Sequence, residues 1–282
     1  YGKGDEGVEE NARFIRQVDN IPDSPEKLLA GMFGLHAAFT VEDATLEKVA
    51  DLARRLDVGV HCHVAEAKSD EDDSLEKYGM RILNRLRDKG VLGPKSLAIH
   101  CVHIDGEEMD ILSATDTPAI HNPESNMNNA VGVAPVLEMM SKGVLVGLGT
   151  DAMTSNMCDE VRVANILQHL DKEDPRVGFV EACQMLLENN PAIATRQFGR
   201  EMGVLKPGAA GDVIVIDYTP PTPFNEDSFM GQVLFGICKA GFVDTTVVAG
   251  KVLMREKKLL CLDEEAVAAK SRQLAAEFWK RF

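Results

Sequence analysis

No C-x-x-C pair occurs in this chain. Its six cysteines stand singly at 62, 101, 158, 183, 238 and 261, most of them in apolar surroundings. That spacing excludes a dithiol motif, and the thiols read as reduced, buried groups of a cytoplasmic protein. Positive charge is also scarce: 30 lysines and arginines face 45 aspartates and glutamates, a formal net charge of −15. Nucleic acids and anionic membranes need basic patches, so neither is expected as a partner, and the acidity reads as solubility. No apolar run is long enough to span a bilayer. The opening YGKGDEGVEE is polar and acidic, which argues against a secretory signal; without an initiator methionine it is expected to begin inside a loop or helix. Repeats and low-complexity tracts are missing too. What remains is 282 residues, 45% hydrophobic and 27% charged, enough for one large domain plus a smaller unit.

Hydrophobic spacing predicts an alternation of strands and helices. Residues 6–17 are expected to be helical, with Val8, Ala12 and Ile15 on one side, and 31–37 a short buried strand. The stretch 40–56 reads as a helix capped by Thr40, with Asp43 three residues on and Leu46, Val49, Ala50 and Ala53 on its apolar face. Strands at 60–65, 96–102, 117–121 and 144–151 then alternate with helices at 75–90, 106–113, 133–143 and 161–170. Strands separated by helices imply parallel pairing. After helices at 177–189 and 191–202 the pattern changes. A strand within 205–218 and a hairpin around Ala249-Gly250 suggest a small β unit, followed by a helix over about 263–281.

Within the second strand, VGVHCHVAE (58–66) holds two histidines two apart and a glutamate three beyond the second. His61 and His63 could be a ligand pair on one strand face; alternatively, His63 alone is a ligand and Glu66 carries protons. The wider pattern bears on the choice. Each of the five strands runs into a reactive side chain: His36, His63, His100, His121 and Asp151. In a barrel of alternating strands and helices the active site lies at the C-terminal strand ends. A lone strand-end histidine is usually a satisfied core group, and Glu66 or Asp151 alone could be a loop or turn carboxylate. Five such residues in register are hard to reconcile with packing alone.

The ordered series GLHAAFT (34–40), HVAE (63–66), HCVHID (100–105), HNPESN (121–126) and GLGTDA (147–152) resembles the amidohydrolase superfamily, in its cytosine/guanine deaminase and triazine chlorohydrolase branch. HNPESNMNNAVGVAP and LKPGAAGDVIVIDYTPPTP are similar to SsnA-type aminohydrolases, and the likeness runs from about residue 6 to the C-terminus. The resemblance implies an α/β fold: an incomplete (β/α)8 TIM-type barrel, strands four to eight, over residues 1–203, with a C-terminal β-sandwich portion and terminal helix over 204–282. It implies one divalent metal, zinc ahead of iron, with His63 and Asp151 as ligands. Glu66 would shuttle protons and His100 would orient the attacking water, with Asp151 accepting its proton. His36 would lie near the substrate, as would His121, for which a turn held by its Asn and Pro neighbours is the competing reading. His61 is expected one layer deeper than His63, in a packing role, and His103 in the following loop, near the surface. The implied reaction is hydrolytic deamination of a purine- or pyrimidine-like heterocycle, and the resemblance admits a homodimer.

The family's other two ligands form an H-x-H pair ending a first strand, and residues 1–30 hold no such segment. The chain is therefore expected to be a fragment, or to receive the rest from another polypeptide. Alone it would supply fewer ligands than a catalytic site needs and would expose strand edges, so inactivity and poor stability are expected. Two other readings stand beside this one: a dihydropyrimidinase-type cyclic-amide hydrolase, disfavoured because GLHAAF has no lysine where that type places its carboxylated one, and a non-catalytic assembly subunit.

Overall fold

The computed structural model describes residues 4–24 and 27–282, which divide into two units, Tyr1–Lys206 and Pro207–Phe282. In the first unit, helix α1 (Gly4–Asp19) precedes five strands: β1 (Phe33–Ala37), β2 (Val60–Val64), β3 (Leu97–His100), β4 (Ala119–His121) and β5 (Val146–Leu148). They form one parallel sheet in the order β1-β2-β3-β4-β5, the sequential order that successive strand–helix units give. The register sets Ala37 beside His63, Val64 beside His100 and His121 beside Leu148. The polar strand ends are thereby brought to one rim.

Helix α2 (Asp43–Leu56) buries Leu46, Val49, Ala50 and Ala53, the stripe its spacing predicts. α1 likewise buries Val8, Ala12, Ile15 and Val18. In β2 burial alternates: Val60, Cys62 and Val64 are buried among packed elements, while His61 and His63 share the other face. Gly59, just before β2, lets two backbones meet; a Cβ there would lie 1.7 Å from the Lys95 carbonyl oxygen.

Three expectations need correction. Thr40 does not cap α2. Its hydroxyl donates to the Ala37 carbonyl (2.8 Å) within the 3₁₀ turn Ala38–Thr40, and Glu42 flanks the helix start. The helix expected over 75–90 is two helices, α3 (Lys68–Tyr78) and α4 (Ile82–Asp88), broken at Gly79, whose φ of +70° ends the first. Asp151 is not within a strand but three residues beyond the end of β5. Between β3 and β5 lie α5 (Gly106–Ala114), α6 (Pro123–Asn128) and α7 (Val136–Ser141). After β5 come α8 (Met157–Lys172), α9 (Phe179–Gln184) and, through a π-helical turn at Met185–Asn189, α10 (Asn190–Phe198). Buried Arg85 of α4 donates to the carbonyls of Ala38 (2.7 Å) and Val41 (2.6 Å) and to Asp43 (2.8 Å), pinning the turn after β1. Among the described residues no helix is long and apolar enough to cross a membrane.

The second unit is an antiparallel sheet in the order β6-β7-β8-β9, formed by Val213–Asp217, Phe242–Val248, Lys251–Arg255 and Lys258–Leu259. The hairpin turn between β7 and β8 falls at Ala249 and Gly250, both at positive φ, the conformation a tight two-residue turn requires. None of these strand residues is fully buried. Helix α11 (Glu264–Phe278) closes the chain, its first turn capped by Asp263.

Candidate active site

Three residues, in or just beyond separate strands, bring atoms that could bind a metal to one point. A ring nitrogen of His63, a ring nitrogen of His100 and a carboxylate oxygen of Asp151 all lie within 4.8 Å of one another. The His63 imidazole uses Nδ1–H to donate to the backbone carbonyl of His36, which leaves the Nε2 lone pair for a cation. His100 is fully buried, and its Nδ1–H donates to Asn126 Oδ1 at 2.8 Å. Its Nε2 has no hydrogen-bond partner among the described residues, yet lies 3.6 Å from Glu66 Oε2 and 3.9 Å from Asp151 Oδ2. Two imidazole lone pairs and two carboxylates thus face a common space. Such a set of acceptors suits a divalent cation with nitrogen and oxygen ligands. His100, given a water-orienting role in the sequence reading, falls inside the same ligand cluster.

His61 stands on the same β2 face as His63, with ring centroids 5.4 Å apart. It is absent from the converging ligand group, and burial followed by its neighbour His63 holds its pKa below the usual histidine range. His36 is exposed at the rim, its ring 5.9 Å from that of His63 and its Nδ1 3.1 Å from Thr40 Oγ1. His121 is buried completely, and neither ring nitrogen has a partner among the described residues. Burial, aided by nearby His100, drives its pKa down to about 3, so it is a neutral imidazole. His103 is half-buried, and its Nε2–H donates to the Val131 carbonyl (2.7 Å), joining two loops rather than projecting at the surface.

The sequence reading missed the residues that orient this group. HNPESN is not only a turn: residues 123–128 form α6. From α6 and the next residue, Ser125 Oγ donates to Asp151 Oδ2 (2.6 Å) and Asn129 Nδ2 to Glu66 Oε1 (3.0 Å), while Asn126 accepts from His100 as described. The recoverable signal was three amide or hydroxyl side chains in a short motif directly after a strand-end histidine. The backbone is also unusual here. Ala65, His100, Cys101, Asp151 and Ala152 all have φ between +46° and +72°, a region that non-glycine residues avoid and that concentrates at functional sites.

A second charged cluster lies behind the β3–α5 loop. Arg81 binds Glu108 (2.7 Å) and Asp105 (2.9 Å) and sits 3.5 Å from Glu71. Burial, and then the adjacent Glu108 carboxylate, push Glu71 up to about 8 from 4.5. The folded state thus holds this proton more tightly than the unfolded chain, so the group's contribution to stability is lost as pH rises from about 4.5 toward about 8. Glu71→Gln is expected to raise the melting temperature near pH 8 by about 2–4 °C, the shift for ~1 kcal/mol in a domain of this size. Near pH 5 it should change little. Thermal melts at the two pH values check this; an equal effect at both would count against a titrating Glu71.

Comparison with known proteins sets this geometry in a family. Residues 2–253 match the model of the amidohydrolase family. A 5-methylthioadenosine/S-adenosylhomocysteine deaminase of Pelotomaculum thermopropionicum is 35% identical over 279 residues, 97% of this chain and 63% of the relative. A 5'-deoxyadenosine deaminase of Methanosarcina acetivorans is 35% identical over 286 residues, 99% of this chain and 64% of the relative. Among solved structures, an adenosine deaminase from Xanthomonas campestris with bound zinc superposes with a TM-score of 0.84 at 27% identity, covering 98% of this chain and 62% of that one. The chain therefore spans a little under two thirds of the length of these relatives. With a family match over most of its residues and an α/β fold shared with a member of known structure, this chain belongs to the amidohydrolase family.

Proposed function

We propose that the protein is a metal-dependent aminohydrolase that removes the exocyclic amine of a purine-like heterocycle, with adenosine-type nucleosides as its substrate class. One observation carries the reading: His63, His100, Glu66 and Asp151, from three different strand ends, converge on one space. The substrate class is suggested by the deaminases it resembles, and zinc by the ion in the Xanthomonas campestris structure. In this reading residues 1–203 are the partial hydrolase barrel and 204–282 the β-sandwich portion with its terminal helix. The mostly buried, singly spaced cysteines support a cytoplasmic setting.

His63 and Asp151 would hold the cation, with His100 beside them. A bound zinc supplies acidity to a water molecule and polarises the carbon under attack. The residues do the rest. His100 Nε2, held as an acceptor, takes a hydrogen bond from the attacking water and fixes its approach. Asp151 takes the water's proton. Glu66, anchored through one oxygen and free at the other, passes on the water's two protons in turn, one to the ring nitrogen and then the one relayed by Asp151 to the departing amine. Exposed His36 is placed to meet the substrate at the rim, and buried His121 backs the site beside His100.

The test uses protein expressed from its complete reading frame and supplied with zinc. Ammonia release is expected from 5'-methylthioadenosine or 5'-deoxyadenosine, and not from cytosine or dihydrouracil. Stoichiometric zinc with no consumption of any adenosine derivative would overturn the substrate class. Turnover of dihydrouracil would favour a cyclic-amide hydrolase instead.

A further inference from the structure

The segment Pro123–Asn129 makes three hydrogen bonds that share a pattern. Each joins one of its side chains to a different chemistry-bearing residue, and those residues come from three different strand ends. We propose that this segment is a single clasp, and that Ser125, Asn126 and Asn129 are positioning residues that fix the orientation of the Asp151 carboxylate, the tautomer of His100 and the free oxygen of Glu66. The inference deepens the aminohydrolase reading and rests on it for its effect on rate, though not for its geometry.

Two of the bonds leave a defined atom for chemistry, and the third sets the direction of a carboxylate. The Asn126 oxygen can only accept, so His100 must carry its proton on Nδ1 and present a bare Nε2. Nε2 is the atom 3.6 Å from Glu66 and 3.9 Å from Asp151. Asn129 occupies Glu66 Oε1 and leaves Oε2 turned toward His100. Ser125 holds Asp151 through a short 2.6 Å bond, just where that residue's backbone is in the left-handed region. Packing alone does not account for Asn126. It is completely buried, and its Nδ2 has no partner among the described residues. A buried amide with an unmade bond is a net cost to folding, which an apolar side chain of similar size would avoid. What the asparagine adds is the oxygen on His100. The three residues also lie on one turn, so a movement of α6 would displace all three partners together.

The experiment combines selective histidine 15N NMR, zinc competition and steady-state kinetics on the zinc-supplied protein. In the wild type without zinc, His100 should show a protonated Nδ1 and an unprotonated Nε2. Asn126→Leu should shift that signature toward the other tautomer and lower kcat by about 10–100-fold, the usual cost of losing an outer-shell partner, with KM within about twofold. Asn126→Asp keeps the acceptor and should retain both the tautomer and most of kcat, a rescue that a purely structural role does not predict. Should Asn126→Leu not fold, two milder variants decide. Ser125→Ala should weaken zinc binding by about 10-fold. Asn129→Ala, at an exposed position, should lower kcat and leave zinc affinity unchanged. A wild-type His100 carrying its proton on Nε2, or an Asn126→Leu protein with unaltered tautomer and kcat, would overturn the clasp. If the wild type deaminates nothing while the tautomer and zinc results hold, the aminohydrolase reading fails and the clasp stands.

Discussion

Replacing Glu66 with glutamine is expected to lower kcat for deamination by about 10²–10⁴-fold, the range a positioned acid–base group supplies, with the metal still bound. The substitution is nearly isosteric. The glutamine carbonyl can still accept the 3.0 Å bond from Asn129, so the side chain should stay in place. What changes is the other terminus. An oxygen 3.6 Å from His100 Nε2 becomes an amide that can donate but cannot carry a proton. The shuttle is lost, and the bare imidazole nitrogen gains a donor that competes with the attacking water. Both effects fall on the chemical step, so KM should move little. Ammonia release together with metal content by mass spectrometry separates the outcomes: full activity would remove Glu66 from the mechanism, and loss of metal would make it a ligand.

Metal retention should collapse in His63→Ala and survive in His61→Ala. The two histidines share one strand face and nearly touch, so sequence spacing alone leaves both readings open. The structure separates them by what each nitrogen meets. The Nδ1 of His63 is tied to the His36 carbonyl and its ring joins the converging group, while His61 lies outside that group. Removing a ligand should weaken zinc by more than the about 10–100-fold typical of an outer-shell partner. Asp151→Asn should do the same through loss of charge. Chelator competition measures all three variants, and His63→Ala binding zinc as the wild type does would remove this residue from the metal centre.

Much of the barrel was legible because its signals are local. Short stretches, apolar in β1 and β3 to β5 up to their polar ends and alternating in β2, mark the strands, and the stripes of α1 and α2 appear at helical spacing. The beginning of α3 was hidden for a physical reason: its buried residues are Asp70, Glu71 and Ser74, so no apolar periodicity exists to be read. Thr40 misled because a hydroxyl before a helix can serve a tighter turn equally well, and here it satisfies the Ala37 carbonyl. At the site, the strand-end residues stood out as a set, five reactive side chains in register where strands end. Their orienting partners could not. Asn126 and Ser125 are each 26 positions from the group they hold, and Asn129 is 63 from Glu66, distances at which sequence carries no pairing signal.

The left-handed backbone at Ala65, His100, Cys101, Asp151 and Ala152 sets a limit on how this protein can be made more robust. An L-residue in that region forgoes about 1–2 kcal/mol. The usual remedy is glycine, but at positions 100 and 151 it would remove a side chain of the converging group, and at 65 and 152 a glycine would loosen the chain beside it. These uncomfortable links in the polymer are therefore ones that selection for durability cannot easily edit. Hardier variants of this protein would have to arise elsewhere, in helix caps and outward-facing helix positions, leaving the rim as it is.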